Sequence, residues 1–104
     1  MMMPIVFCIV LAVAAFLDGY TTLLSLAKGN IEADPLAVWL FGTDTPSAKV
    51  LWSRGMGFIG IEIAAMLYTA YHHPSIAWLL CALALSQAGI HFYLANHNYK
   101  LAQQ

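Results

Sequence analysis

Three apolar stretches, each long enough to cross a bilayer as a helix, constrain the fold of this 104-residue chain more than any other feature. They cover residues 4–27, 48–71 and 76–96, and a bilayer core about 30 Å thick needs about 20 helical residues to be crossed. Hydrophobic residues make up 62% of the chain and charged residues 9%, against about 25% charged residues in soluble domains. The sequence therefore predicts an all-α polytopic membrane bundle, a single transmembrane domain of three helices.

The loop between the first two stretches contains a shorter apolar run that cannot cross a bilayer. Asp34 is a suitable N-cap for it and Pro35 a suitable first helical residue, so we predict a short interfacial helix over residues 35–42. Trp39 would then lie at headgroup depth, where tryptophan is enriched. Turn signals separate the predicted helices at Gly29-Asn30, Pro46-Ser47 and Pro74-Ser75.

The few basic residues predict an orientation in the membrane. Lys28, Lys49 and Lys100 all fall on one side of a three-helix arrangement, whereas residues 72–75 carry no Lys or Arg. The positive-inside rule then places the N-terminus outside and the C-terminus in the cytoplasm, in a multi-pass protein of the inner (cytoplasmic) membrane. With four Lys and Arg in total, the chain has no basic patch for nucleic acid.

Four ionisable residues lie inside the predicted transmembrane helices, where a charge is costly and tends to mark a functional site. They are Asp18 in the first helix, Arg54 and Glu62 in the second, and His91 in the third. At about 1.5 Å per residue, Asp18, Arg54 and His91 lie about 8–13 Å from one membrane face, and Glu62 about 21 Å from it. We therefore expect Asp18, Arg54 and His91 to share one half of the bilayer, next to the loop that carries Glu32 and Asp34.

The spacing of polar residues supports this arrangement. Asp18, Thr22 and Ser25 share one face of the first helix, and Gln87, His91 and Asn98 share one face of the third, and neither face suits lipid. In the second helix, Ser53 and Gly57 form a pair of small residues that permits close helix approach, as do Gly60 and Ala64.

Three interpretations of the predicted polar cluster, Asp18, Thr22, Arg54 and His91, stay open. In the first, Asp18 pairs with Arg54, His91 bonds to a neighbour, and the network fixes the helix register. In the second, Asp18, Glu32, Asp34 and His91 bind a divalent metal or a proton, because carboxylates and imidazole suit such a metal. In the third, His91 is a base beside Asp18. Since no nucleophile motif accompanies it, we assign no catalytic residue and favour a non-enzymatic role.

Glu62 is a separate candidate, because it lies deeper than the cluster. It could carry a proton within the membrane, or it could stay neutral because burial disfavours the charged carboxylate.

Part of this pattern resembles a known family. Leu17-Asp18-Gly-Tyr-Thr21-Thr22, followed by Lys28-Gly29-Asn-Ile-Glu32-Ala-Asp34-Pro35-Leu36, resembles a prokaryotic family of small multi-helix membrane proteins known only as a domain of unknown function. Members of that family carry an Asp and a Thr in the first helix, then the motif Gly-x-x-Glu-Ala-Asn-Pro, and then a Lys that opens the next helix.

The resemblance covers about the first half of the chain. Lys49 matches the family lysine, His91 is similar in placement to a family histidine, and Asp34 replaces the Asn. The resemblance brings no known activity. It implies that Asp18, Thr22, Glu32, Asp34 and Lys49 belong to one shared site.

Three functions fit the sequence. The first is an accessory or structural subunit of a larger membrane assembly, with other membrane subunits or further copies of the chain as partners within the lipid bilayer. The second is a membrane protein, or a transporter component, that binds a divalent cation or a proton. The third is a phage-type holin, which length and helix count fit, although the C-terminal residues from Lys100 onwards lack the charged tail that holins usually carry.

Overall fold

The computed structural model describes residues 2–32 and 34–104, and all regular structure within them is helical. The helices are α1 (Met2–Ala27), α2 (Pro35–Phe41), α3 (Ala48–His72) and α4 (Ala77–Gln103), the last preceded by a 3₁₀ turn at Pro74–Ile76. Three of them, α1, α3 and α4, are long and apolar enough to cross a membrane. The predicted all-α class is therefore confirmed, and the chain has the architecture of a small membrane protein.

Helices α1 and α4 form the most extensive contact in the fold. Its centre consists of Leu11 and Ala14 on α1 and Ala84 and Ala88 on α4, all essentially inaccessible. Along each helix, the residues at this contact alternate in steps of three and four, the spacing that keeps one face against a partner helix. The series are Cys8, Leu11, Ala15, Asp18, Thr22 and Ser25 on α1, and Ala84, Ala88, His91, Ala95, Asn98 and Ala102 on α4.

The small side chains at this contact, three alanines around Leu11, explain how the two helices pack so closely. Alanine lets the two backbones approach, and in a bilayer such close packing replaces the hydrophobic effect as the main attraction between helices. Four polar members of the two series, Asp18, Thr22, His91 and Asn98, therefore come into hydrogen-bonding range across the contact.

Helix α3 is packed more loosely against this pair. Its Ile63 and Met66 lie on the alanine core, and the Trp52 ring stacks on Phe16 of α1 with ring centroids 5.2 Å apart. Gly19 makes room for this indole, since a Cβ on Gly19 would lie 3.0 Å from Trp52 Cζ3. The first part of α3 is π-helical over Leu51–Met56.

The small-residue pairs of α3 mediate no close helix contact among the described residues. Ser53, Gly57, Gly60 and Ala64 are exposed, and a Cβ added at Gly57 or Gly60 would meet no atom of the described residues within 4 Å. The close helix approach that they permit is available only to another molecule.

The observed ends of two helices, α2 and α4, can be compared with the predicted ones. The short helix predicted in the first loop is present as α2, where Asp34 Oδ1 accepts from Leu36 N–H at 3.0 Å and Gly42, at φ 76°, terminates the helix. The third long helix was expected to end at residue 96 but continues to Gln103. No Gly or Pro follows Asn96 to stop it, and Asn98 in the extended part bonds to α1.

The alanine contact predicts an asymmetric response to larger side chains on α4. Ala88→Leu should destabilise the protein by about 1–3 kcal/mol, because the added carbons must be forced between two touching helices. The free energy of unfolding can be measured from the loss of helical circular dichroism as SDS is titrated into mild-detergent micelles. The control is Ala82→Leu on the exposed face of the same helix, and equal effects of the two changes would contradict the described contact.

Candidate functional site

Four polar side chains form a hydrogen-bonded network across the contact between α1 and α4. Asp18 Oδ2 lies 2.7 Å from His91 Nδ1, and Asp18 Oδ1 accepts from Asn98 Nδ2 at 3.2 Å. Asn98 Nδ2 also donates to Thr22 Oγ1 at 2.9 Å. Both carboxylate oxygens of Asp18 are therefore bonded to α4, and we call Asp18, Thr22, His91 and Asn98 the interhelix network.

The local sequence places each member of this network. Thr22 lies one turn after Asp18, and its hydroxyl donates to the Asp18 carbonyl at 2.7 Å, which leaves its oxygen free to accept from Asn98. Asn98 follows His91 by two helical turns, so the two side chains on α4 reach the two polar residues on α1. The side chains of Asp18 and His91 are 17% and 26% exposed, so the ion pair remains accessible from one side.

The first interpretation is wrong in one part, because Asp18 does not pair with Arg54. Arg54 Nη1 donates instead to the Leu40 carbonyl at 3.3 Å, in an exposed position. Leu40 belongs to the last turn of α2, where helix carbonyls lack partners within the helix and attract cations. Arg54 therefore holds α2 against α3 and takes no part in the interhelix network.

A second polar pair lies deeper in the bundle and joins α3 to α4. Gln87 Nε2 donates to Glu62 Oε2 at 3.1 Å. The other oxygen of each side chain, Glu62 Oε1 and Gln87 Oε1, is buried and has no hydrogen-bond partner among the described residues.

This pair was missed at the level of the sequence because the end of α4 was misplaced. Measured from Gln103, Gln87 lies about 24 Å along α4, close to the depth of about 21 Å that Glu62 has along α3. Measured from residue 96, it lies about 13 Å along the helix, far from Glu62. The sequence carries no signal for the end at Gln103, since no Gly or Pro follows Asn96, so only the structure paired them.

Both polar groups line one cavity of about 210 Å³ between the four helices. Its wall contains four carboxyl groups, from Asp18, Glu32, Asp34 and Glu62, and no Lys or Arg of the described chain. Four of the six residues of the π-helical segment also line it. The aromatic side chains in the wall are Trp39, Phe41, Trp52 and Phe58.

The first loop brings two of these carboxyl groups to the cavity. Glu32 N–H donates to the Asp44 carbonyl at 2.7 Å, and Glu32 Oε1 accepts from Asp34 N–H at 3.1 Å. Asp34 in turn caps α2 through Leu36 N–H. Glu32 and Asp34 are therefore each held by hydrogen bonds at the end of the bundle where α1 ends and α3 begins.

Of the predicted site residues, Asp18, Thr22, Glu32, Asp34 and His91 all line the cavity, whereas Arg54 and Lys49 do not. The proposed metal ligands, Asp18, Glu32, Asp34 and His91, thus share a cavity but not a coordination geometry. Within residues 2–32 and 34–104, no group of three or more His, Cys, Asp or Glu side chains could hold a metal ion.

Comparisons of the chain with protein-family models, with curated proteins and with solved structures find no match. The resemblance in the first half of the chain therefore stays a prediction, and the geometry of the cavity carries the functional argument.

The interhelix network predicts different costs for two charged residues. Asp18→Ala leaves donors of His91 and Asn98 without an acceptor at a helix contact, which should destabilise the protein by about 1–3 kcal/mol. Arg54→Ala, which removes one exposed hydrogen bond, should change stability by no more than about 0.5 kcal/mol. Unfolding in SDS and mild detergent measures both, and an equal loss for the two variants would indicate that Arg54 is part of a buried pair after all.

Proposed function

We propose that this protein is a small integral membrane protein that binds a small organic cation, such as an alkylammonium, in the cavity between its helices. The observation that carries the proposal is the wall of four carboxyl groups without a Lys or Arg among its described residues. The ionised carboxyl groups of such a wall attract cations and repel anions, and three of the four, Asp18, Glu32 and Asp34, do not depend on the charge of Glu62. The protein would act alone or as a component of a transporter.

The aromatic residues favour an organic cation over a metal ion. Trp39 and Trp52 line the cavity, and a cation over an indole face is attracted by the ring. A metal ion would require several oxygen or nitrogen ligands at short range, and no such group is formed by the described residues. The volume of about 210 Å³ is below the range of about 300–1,000 Å³ typical of pockets for drug-sized ligands, so the ligand is small.

The proposed orientation in the membrane indicates which end of the cavity faces the cytoplasm. Glu32 and Asp34 lie at the end of the bundle that carries Lys28 and Lys49, and the positive-inside rule places that end in the cytoplasm. A cation would therefore enter from the cytoplasmic side of the inner membrane, through the loop region, towards Asp18.

Tetraethylammonium should bind the reconstituted protein and change the fluorescence of Trp39 and Trp52, which line the cavity. Asp34→Asn should weaken this binding by about three- to tenfold, because one charge a few ångströms from a cation contributes about 1 kcal/mol at a partly solvated site. The fold should survive, since Asn caps a helix about as well as Asp. A titration at constant ionic strength gives the Kd.

The matched control for this experiment is Asp44→Asn. It makes the same change in net charge, but Asp44 is exposed and its side chain does not line the cavity. Absence of saturable binding to the wild-type protein, or an equal weakening by Asp44→Asn, would rule out the proposed site.

A second candidate function, that of a subunit in a larger membrane assembly, is favoured by the exposed face of α3. Gly57 and Gly60 are exposed with open space around them, and small residues at this spacing are typical of contacts between transmembrane helices. The partner would be another membrane subunit or a second copy of this chain. The phage-type holin has no comparable support in the fold and stays a prediction.

Gly60→Leu separates assembly from folding. Because nothing in the described chain lies near Gly60, the substitution should leave the stability of the monomer unchanged or slightly higher, since Leu is the better helix former. It should abolish co-purification of the protein with a larger complex in mild detergent, whereas Ala82→Leu on α4 should not. A wild-type protein that is extracted only as a monomer would eliminate this candidate.

A further inference from the structure

The Glu62–Gln87 pair is incomplete in a specific way. It forms one hydrogen bond, from Gln87 Nε2 to Glu62 Oε2 at 3.1 Å, where a carboxyl group beside an amide can form two. The two atoms left over are both oxygens, Glu62 Oε1 and Gln87 Oε1, and both are buried without a partner. Both atoms are acceptors, so one hydrogen shared between them would give each of them a partner.

A single proton on Glu62 supplies that hydrogen. A protonated carboxyl group has one donor and one acceptor, and the primary amide of Gln87 has the complementary set. The pair then forms a closed ring with one N–H···O and one O–H···O hydrogen bond, and no buried polar atom is left over. We propose that Glu62 is a proton-binding site of the membrane domain, held as a neutral carboxylic acid by Gln87.

Other partners fit these atoms less well. The two oxygens have essentially no accessible surface, so neither a water molecule nor a cation in the cavity reaches them without a rearrangement, whereas a bound proton needs no additional room. Rotating the Gln87 amide by half a turn exchanges its oxygen and nitrogen, and the ring again lacks one hydrogen.

The surroundings also favour the neutral form. A carboxylate buried in a bilayer needs a cation beside it, and no Lys or Arg of the described chain lines this cavity. The imidazole of His91, which lines the same cavity, is bonded to Asp18.

The proposal makes the two ends of the cavity different. The inner end, at Glu62, is uncharged and holds a proton, while Asp18, Glu32 and Asp34 line the cavity nearer the loop. A cation that enters the cavity would thus meet the outer carboxylates, and the proton site lies beyond them.

Infrared spectroscopy of the reconstituted wild-type protein at neutral pH tests the proposal directly. A protonated carboxylic acid absorbs at a higher frequency than the amide and carboxylate bands, and we expect one such band. It should move to lower frequency when the side-chain carboxyl carbons of glutamate are labelled with ¹³C, and it should be lost in Glu62→Gln. The readout needs no added cation, so its result is independent of the proposed cation binding.

Two variants complete the test. Glu32→Gln removes the one other glutamate of the chain and should leave the band in place. Gln87→Leu removes the amide donor and should move the band to higher frequency, because the carboxyl C=O loses its hydrogen bond. Absence of the band from the wild-type protein, its survival in Glu62→Gln, or an unchanged frequency in Gln87→Leu would overturn the proposal.

Discussion

A bilayer offers no water to polar side chains, and this constraint organises the contact between α1 and α4 on which the rest of the fold depends. Asp18 on α1 can satisfy both carboxylate oxygens only if His91 and Asn98 of α4 lie at the same depth. A slip of one helical turn would break these bonds at once. The alanine residues of α4 set how closely the helices approach, and the polar residues set their register.

The looser attachment of α3 is the source of the cavity. The helix touches the α1–α4 pair through Trp52 near one end and through Ile63 and Met66 farther along, so space remains between these contacts. In a π-helical turn the backbone hydrogen bonds join residues five apart instead of four, and such turns are frequent at functional sites. Here it turns Leu51, Trp52, Gly55 and Met56 towards the cavity, while α2 covers the opening and is held there by Arg54.

The partners of the carboxyl groups change along the cavity, from the loop to its inner end. Near the loop, Glu32 and Asp34 are held by backbone hydrogen bonds, and in the middle Asp18 is matched by an imidazole. At the inner end, Glu62 faces an amide and no cation. The same residue type thus has a different role at each depth.

The three membrane-spanning helices, the short α2 and the shared depth of Asp18 and His91 could all be predicted from the sequence, because they depend on helix length, caps and the rise per residue. Which polar residues pair with each other could not be predicted from the sequence. Arg54 and His91 were both predicted at a depth close to that of Asp18. Because α4 packs closely against α1, His91 bonds to Asp18, whereas Arg54 on α3 bonds to the Leu40 carbonyl. The Glu62–Gln87 pair depended on where α4 ends, which no Gly or Pro marks. Depth is a local property of each helix, whereas rotation and pairing depend on every helix at once, so only the tertiary structure decided them.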